Sequence, residues 1–217
     1  YAATTSLVDN FDEQSLLESM LDGVKPNYFS GTESKHYLIK TPFRYPPLKH
    51  GSRFGSRLVP SYFYASESVE TVFCEVAYYR FLFFSHMSEP YQSAVNSDHL
   101  VFSVQVQSSN TADLTLVNEQ DIQELFTHKS QYSPCQQTGD WLRSKGIELI
   151  RYNSARADNG INVAISVVDI IKSTHPENMA NWLCQSSLDK VSFTGPGQPV
   201  FHFYRQQFLC NGVLPNP

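Results

Sequence analysis

A chain of 217 residues carries 16 Lys and Arg against 21 Asp and Glu, a formal charge of −5, with 41% hydrophobic, 13% aromatic and 17% charged residues. That length suits one domain with a substantial core, no apolar run approaches a bilayer-spanning length, and scattered basic residues on an acidic chain speak against a nucleic-acid surface, so any DNA contact would come through a partner. Cys74, Cys135, Cys184 and Cys210 show neither C-x-x-C spacing nor a paired His, and no charged-then-apolar leader opens the sequence; no zinc site, no disulfide framework and a reduced, cytoplasmic setting are the expectation.

Residues 1–9 read as frayed, and Asp12 to Leu21 as a helix with Leu16, Leu17, Met20 and Leu21 on one side, stopped by Gly23 and Pro26 and packed as an outer brace. Residues 1–35 thus form a helical lead-in and 36–217 the main domain. His36 to Ile39 reads as a short strand feeding a run in which Pro42, Pro46 and Pro47 stiffen an extended loop around Arg44. Arg53 stands between Gly51 and Gly55, where the backbone can turn tightly or approach a ligand. Ser61 to Ser66 is an aromatic strand, and Ser66 or Ser68 with Glu70 gives a helix start.

The helix that follows runs to about Ser85 and is apolar almost all round, as a central, covered helix is. Val69, Val72, Phe73, Val76 and Phe83 share a stripe, and Glu75 lies roughly 110° from its centre, on the flank, which suits a cleft residue. Beyond it, strands are expected at His99–Gln107, Leu114–Leu116, Ile147–Tyr152, Ile161–Val168, Trp182–Ser186, Lys190–Thr194 and Pro199–Gln206. Helices are expected at Asn118–Phe126 and Thr138–Gly146, loops at Ser88–Asp98 and Gln131–Gln137, and a tight turn at Asp158–Gly160. Ser154 falls just past a strand end. Hairpin signals outnumber strand–helix–strand units, so the fold class is α+β, a single compact domain with a mixed, twisted sheet. The seven histidines form no metal-binding or protease pattern, and Gly195-Pro-Gly197 reads as a turn.

Phe43-Arg44-Tyr45, Gly51-Ser-Arg53-Phe-Gly55, Tyr64-Ala-Ser66, Glu70-Thr71 and Glu75-Val76, followed by Ile147 to Arg156 with Ser154, resemble in order and spacing the signature of the RES-domain family. That family is named for an arginine, a glutamate and a serine and includes the toxins of Xre–RES toxin–antitoxin systems. The similarity runs from about Tyr37 to the closing Phe208–Pro215 stretch, most of the chain. It implies a fold like that of ADP-ribosyltransferases and an activity that consumes NAD by cleaving the nicotinamide–ribose bond, with water or phosphate as acceptor. It also implies a cognate Xre-type antitoxin with a helix-turn-helix part, and no metal. In that reading Arg44 and Arg53 grip the pyrophosphate by bidentate hydrogen bonds, and Tyr45 and Tyr64 line the nucleotide pocket. Glu75 stabilises charge developing on the ribose, and Ser154 orients the sugar or the amide without acting as a nucleophile. Transfer of ADP-ribose to a protein is the alternative reaction, and a catalytically silent interaction module the alternative class.

Overall fold

A computed structural model describes residues 7–45 and 48–216. Pro46 and Pro47, two of the three prolines expected to stiffen the loop around Arg44, lie outside the described residues. Among the described residues five helices run α1 (Phe11–Gly23), α2 (Tyr37–Arg44), α3 (Val69–Ser85), α4 (Gln120–Phe126) and α5 (Ser133–Ser144). Eight strands among the same residues run β1 (Phe63–Ser66), β2 (Val95–Ser103), β3 (Thr111–Asp113), β4 (Leu149–Asn153), β5 (Ile161–Ile165), β6 (Glu177–Ser186), β7 (Lys190–Thr194) and β8 (Phe201–Tyr204). The α+β class holds, and the strands divide between two four-stranded sheets. One is mixed, ordered β1-β5-β4-β3 with only β3–β4 parallel; the other, β2-β6-β7-β8, is antiparallel throughout.

The segment before Arg44 is a helix, not the expected strand. Four residues are too few to separate the two periods, and the i, i+4 pair Ile39 and Phe43 decides the outcome, since both side chains are buried against Phe63, Ile165 and Ile171. His36 caps α2 by accepting from the Leu38 amide, and Pro42 removes one donor from the last turn, so the helix ends at Arg44. Arg44 therefore sits on a helix end and not on an extended loop. The expected brace is also different: α1 buries none of its residues, and Leu16 and Met20 face outward.

Helix α3 starts where Ser68 accepts from the Thr71 amide. Its buried side chains are Thr71, Phe73, Cys74, Ala77, Tyr78, Phe81 and Phe84, so the face is rotated from the expected stripe, and Val69 and Phe83 are exposed. This face covers the antiparallel sheet, with Phe73 stacked on Phe193 at 4.2 Å between ring centroids and edge-on to Trp182 at 4.7 Å. The mixed sheet is buried on both sides. Phe63, Leu149 and Ile165 face α2, while Ile150, Tyr152 and Ala164 face Phe54, Cys135 and Leu142. A Cβ on Gly139 of α5 would lie 2.0 Å from the Phe54 carbonyl oxygen, so the loop carrying Arg53 rests directly on this glycine.

Other boundaries move for tertiary reasons. β2 begins at Val95, within the expected loop, because its polar first half pairs with β6 residue by residue from Val95–Ser186 to Val101–Ala180. A bulge at Val101–Ser103 then releases the chain toward the mixed sheet, where Val106 bridges Ile171. Residues 114–116 form a 3-10 turn capped by Asp113, not a strand, and α5 begins at Ser133 with Pro134 in its first turn, within a stretch expected to be loop.

Replacing Gly139 by Ala forces Phe54 and the Arg53 loop away from α5. Equilibrium unfolding of Gly139→Ala is expected to show a loss of about 1–3 kcal/mol, the usual cost of overpacking. An unchanged midpoint would contradict this packing.

Candidate functional site

Side-chain alternation along three strands brings the polar residues to one place. Tyr64 and Ser66 on β1 pair with Ala164 and Asn162 on β5, and Asn162 pairs with Tyr152 on β4, so all five point to the same face. Along this face apolar residues give way to polar ones: Ile150, Tyr152 and then Ser154 on one line, Ala164 and then Asn162 on the next, Tyr64 and then Ser66 on the third. Glu75, two turns into α3, meets the polar end.

The Ser154 hydroxyl and the Asn162 side-chain amide both donate to Oε1 of Glu75, each at 2.7 Å. Asn162 in turn accepts from the Ser66 hydroxyl at 2.5 Å. Ser154 Oγ also accepts from the amides of Arg156 and Ala157, both at 3.0 Å, which uses its one proton and both lone pairs. The loop after Ser154 closes when Gly160 donates to the Ala157 carbonyl and Ser154 donates to that of Gly160. A Cβ on Gly160 would fall 2.9 Å from Thr71, so this loop lies against α3 only with glycine there. Among the described residues Oε2 of Glu75 has no hydrogen-bond partner.

Arg53 approaches from the 51–55 loop and is almost fully buried. Its Nη1 donates to the carbonyls of Phe126 and His128 at 3.0 and 3.1 Å, and its guanidinium lies 4.5 Å from the centre of the Tyr132 ring. The same guanidinium bears on the Cys135 thiol through a side-chain hydrogen bond. Burial works against the charge on Arg53, but Tyr132, Tyr152, Cys135 and Glu75 outweigh it, so its proton is held more tightly than usual. Tyr64 pins the same loop: its hydroxyl accepts from the Phe54 amide at 3.0 Å and shares a 2.8 Å hydrogen bond with Ser52. Burial of that hydroxyl pushes its pKa to about 12, while the residue as a whole is 37% exposed. Tyr152, beneath the site, is pushed well above the ordinary tyrosine value, again by burial first.

Arg44 is placed differently. Its Nε donates to the Pro26 carbonyl, its Nη1 is 3.4 Å from Asp22, and its guanidinium stacks 4.2 Å over Tyr28. None of these partners touches the Glu75 group. Tyr45 follows it with an exposed ring and a carbonyl that accepts from Ser61. The structure thus joins Glu75 and Ser154 directly, sets Arg53 on an adjoining loop that Tyr64 of β1 pins, and leaves Arg44 held by the N-terminal segment. A polar cleft of about 1020 Å³ opens beside the junction, walled by Asn153, Ser154, Arg156, Lys129, Cys74 and Glu70. Among the described residues no group of three or more His, Cys, Asp or Glu side chains is gathered to hold a metal ion, and no helix is long and apolar enough to cross a membrane.

The family model of the RES domain matches residues 30–182, which span Arg44, Arg53, Tyr64, Glu75 and Ser154. The chain belongs to the RES-domain family. The matched stretch begins after α1 and ends within β6, so the RES-domain match covers the mixed sheet and α3 but not β7 and β8. No curated protein matches the chain. Within the matched stretch Glu75 and Ser154 are in direct contact. Asn162 and Ser66 complete their junction. Asn162 has a signal of its own in the sequence, a lone amide inside the apolar run Ile161-Asn-Val-Ala-Ile165, since a buried amide demands partners.

Cys74, next to Glu75, is expected to be inert. Burial raises its thiol to about 12, Cys135 and Cys184 are also buried, and only Cys210 is exposed. A thiol-exchange reagent at pH 8 should therefore titrate one cysteine rapidly, with the others reacting only on unfolding, because the thiolate is the reactive form and at that pH is present at Cys74 to about one part in ten thousand. A second fast thiol assigned to Cys74 would overturn the assignment.

Proposed function

We propose that this RES-domain chain consumes NAD by cleaving the bond between nicotinamide and ribose. Membership of a family associated with NAD-related toxin function supports the substrate class. The observation that carries the chemistry is the Glu75 carboxylate, with one oxygen fixed by two donors and the other unpartnered among the described residues. A carboxylate held in this way is aimed before the ligand arrives, which is what stabilisation of a developing positive charge requires.

In the proposed reaction the C1′–N bond breaks and nicotinamide leaves with the bonding pair. The positive charge of the pyridinium passes to the ribose as an oxocarbenium-like centre, and Oε2 of Glu75 stabilises that centre and accepts from a ribose hydroxyl. Water, losing a proton, or phosphate then captures C1′. Arg53 offers its guanidinium to the pyrophosphate, and Tyr64 and Tyr45 pack on the nucleotide. Arg44 joins the phosphates only by exchanging Asp22 and the Pro26 carbonyl for the ligand, so its contribution is smaller than that of Arg53. Ser154, its hydroxyl fully engaged, acts on Glu75 and not on the sugar, a change from the role implied by the resemblance. In the same reading the chain is the toxin of a pair, covered at this site by an Xre-type antitoxin with a helix-turn-helix part.

Nicotinamide release from NAD by the purified chain, with and without phosphate, tests the proposal. Glu75→Gln is expected to lower kcat at least about a hundredfold, as loss of transition-state electrostatics does. Arg53→Lys is expected to raise KM roughly tenfold, and Arg44→Lys less, because an ammonium does not reproduce a planar fork. Dependence on phosphate names the acceptor. No release by folded, antitoxin-free protein would overturn the reading and leave protein modification or a silent binding module.

A further inference from the structure

We infer that Asn162 is a positioning residue for Glu75, with Ser66 as its relay, so that the working carboxylate is set by two strands of the mixed sheet as well as by the Ser154 loop. This rests on the proposed role of Glu75.

Asn162 is 5% exposed and sits in the middle of a sheet, paired with Ser66 on one side and Tyr152 on the other. Its orientation is determined by its two partners. The Ser66 hydroxyl has a proton to give and lies 2.5 Å from Oδ1, while the Glu75 carboxylate can only accept and lies 2.7 Å from Nδ2. Flipping the amide would set its carbonyl oxygen against the carboxylate. The sequence Ser66 to Asn162 to Glu75 is therefore one-directional, and each donor is charge-assisted or feeds one that is.

The second donor has a geometric consequence. With Ser154 alone, the carboxylate could rotate about its last bond and exchange Oε1 for Oε2. With Ser154 reaching Oε1 from the loop after β4 and Asn162 reaching it from β5, the plane of the carboxylate is fixed and Oε2 keeps its direction. An apolar residue at 162 would satisfy the sheet equally well, since its backbone bonds to β1 and β4 do not involve the side chain. The amide is the part the fold does not need.

Asn162→Asp separates positioning from simple packing because it keeps the shape and the acceptor for Ser66. At low pH the new acid holds a proton and donates to Glu75 as the amide did. As pH rises the two carboxyls lose that shared proton and repel, so kcat should fall over about pH 5–8, an alkaline limb the wild type lacks. Asn162→Ala should lower kcat about ten- to a hundredfold, as loss of a hydrogen bond to a charged group does, with KM for NAD changed less than threefold. Ser66→Ala should give a smaller drop in the same direction.

Amide NMR reads the same junction without activity. One Nδ2 proton of Asn162 should resonate downfield and shift in Glu75→Gln. If the wild type released no nicotinamide, this signal would still decide the inference while the proposed reaction failed. Wild-type kcat in folded Asn162→Ala, an Asn162→Asp profile that follows the wild type, or an Asn162 amide indifferent to Glu75→Gln would each overturn it.

Discussion

Two 2.7 Å hydrogen bonds to a single oxygen of Glu75 tie α3 to the mixed sheet at the point where that sheet turns polar. The helix itself is held by the other sheet, through Phe73 against Phe193 and Trp182, and by the turn after β8, through Tyr78 and Phe81 against Phe208. Glu75 is thus the place where a helix anchored on one sheet is registered against strands of the other. A buried or half-buried carboxylate is costly unless its oxygens are satisfied, and here one oxygen is doubly satisfied, while the other has no hydrogen-bond partner among the described residues.

The arginines divide along similar lines. Arg53 is embedded: two carbonyls and a tyrosine ring hold it, and the loop that carries it is fixed by Tyr64 from below and by Gly139 from behind. Arg44 is satisfied by the lead-in, through Asp22, Pro26 and Tyr28, residues that precede the matched RES-domain stretch. A ligand reaching Arg44 competes with those contacts.

Much of this site could be read from residue order. Ser68 as a helix cap, Glu75 on the flank of an apolar helix and Ser154 beyond a strand end follow from local chemistry, and β7 at Lys190–Thr194 stands where alternation placed it. What escaped depended on partners distant in the chain. The 37–44 helix was decided by Ile39 and Phe43 meeting the far side of β5, the early start of β2 by pairing with β6, and the rotated face of α3 by the aromatic layer of the antiparallel sheet. Asn162 shows the same limit. Its type announced a buried amide, but only the register of β1 with β5 reveals that it faces a carboxylate 87 residues earlier.

The most direct test of the account is a crystal structure of the wild-type chain with a carbocyclic NAD analogue, in which the ring oxygen beside the scissile bond is replaced by carbon and cleavage is blocked. The expected result is a ribose hydroxyl within hydrogen-bond distance of Glu75 Oε2, about 2.5–3.0 Å, with Ser154 and Asn162 still on Oε1 and a phosphate on the Arg53 guanidinium. An analogue bound with its ribose away from Glu75, or a carboxylate released from both donors to meet it, would contradict the claim that this junction is built in advance for the sugar.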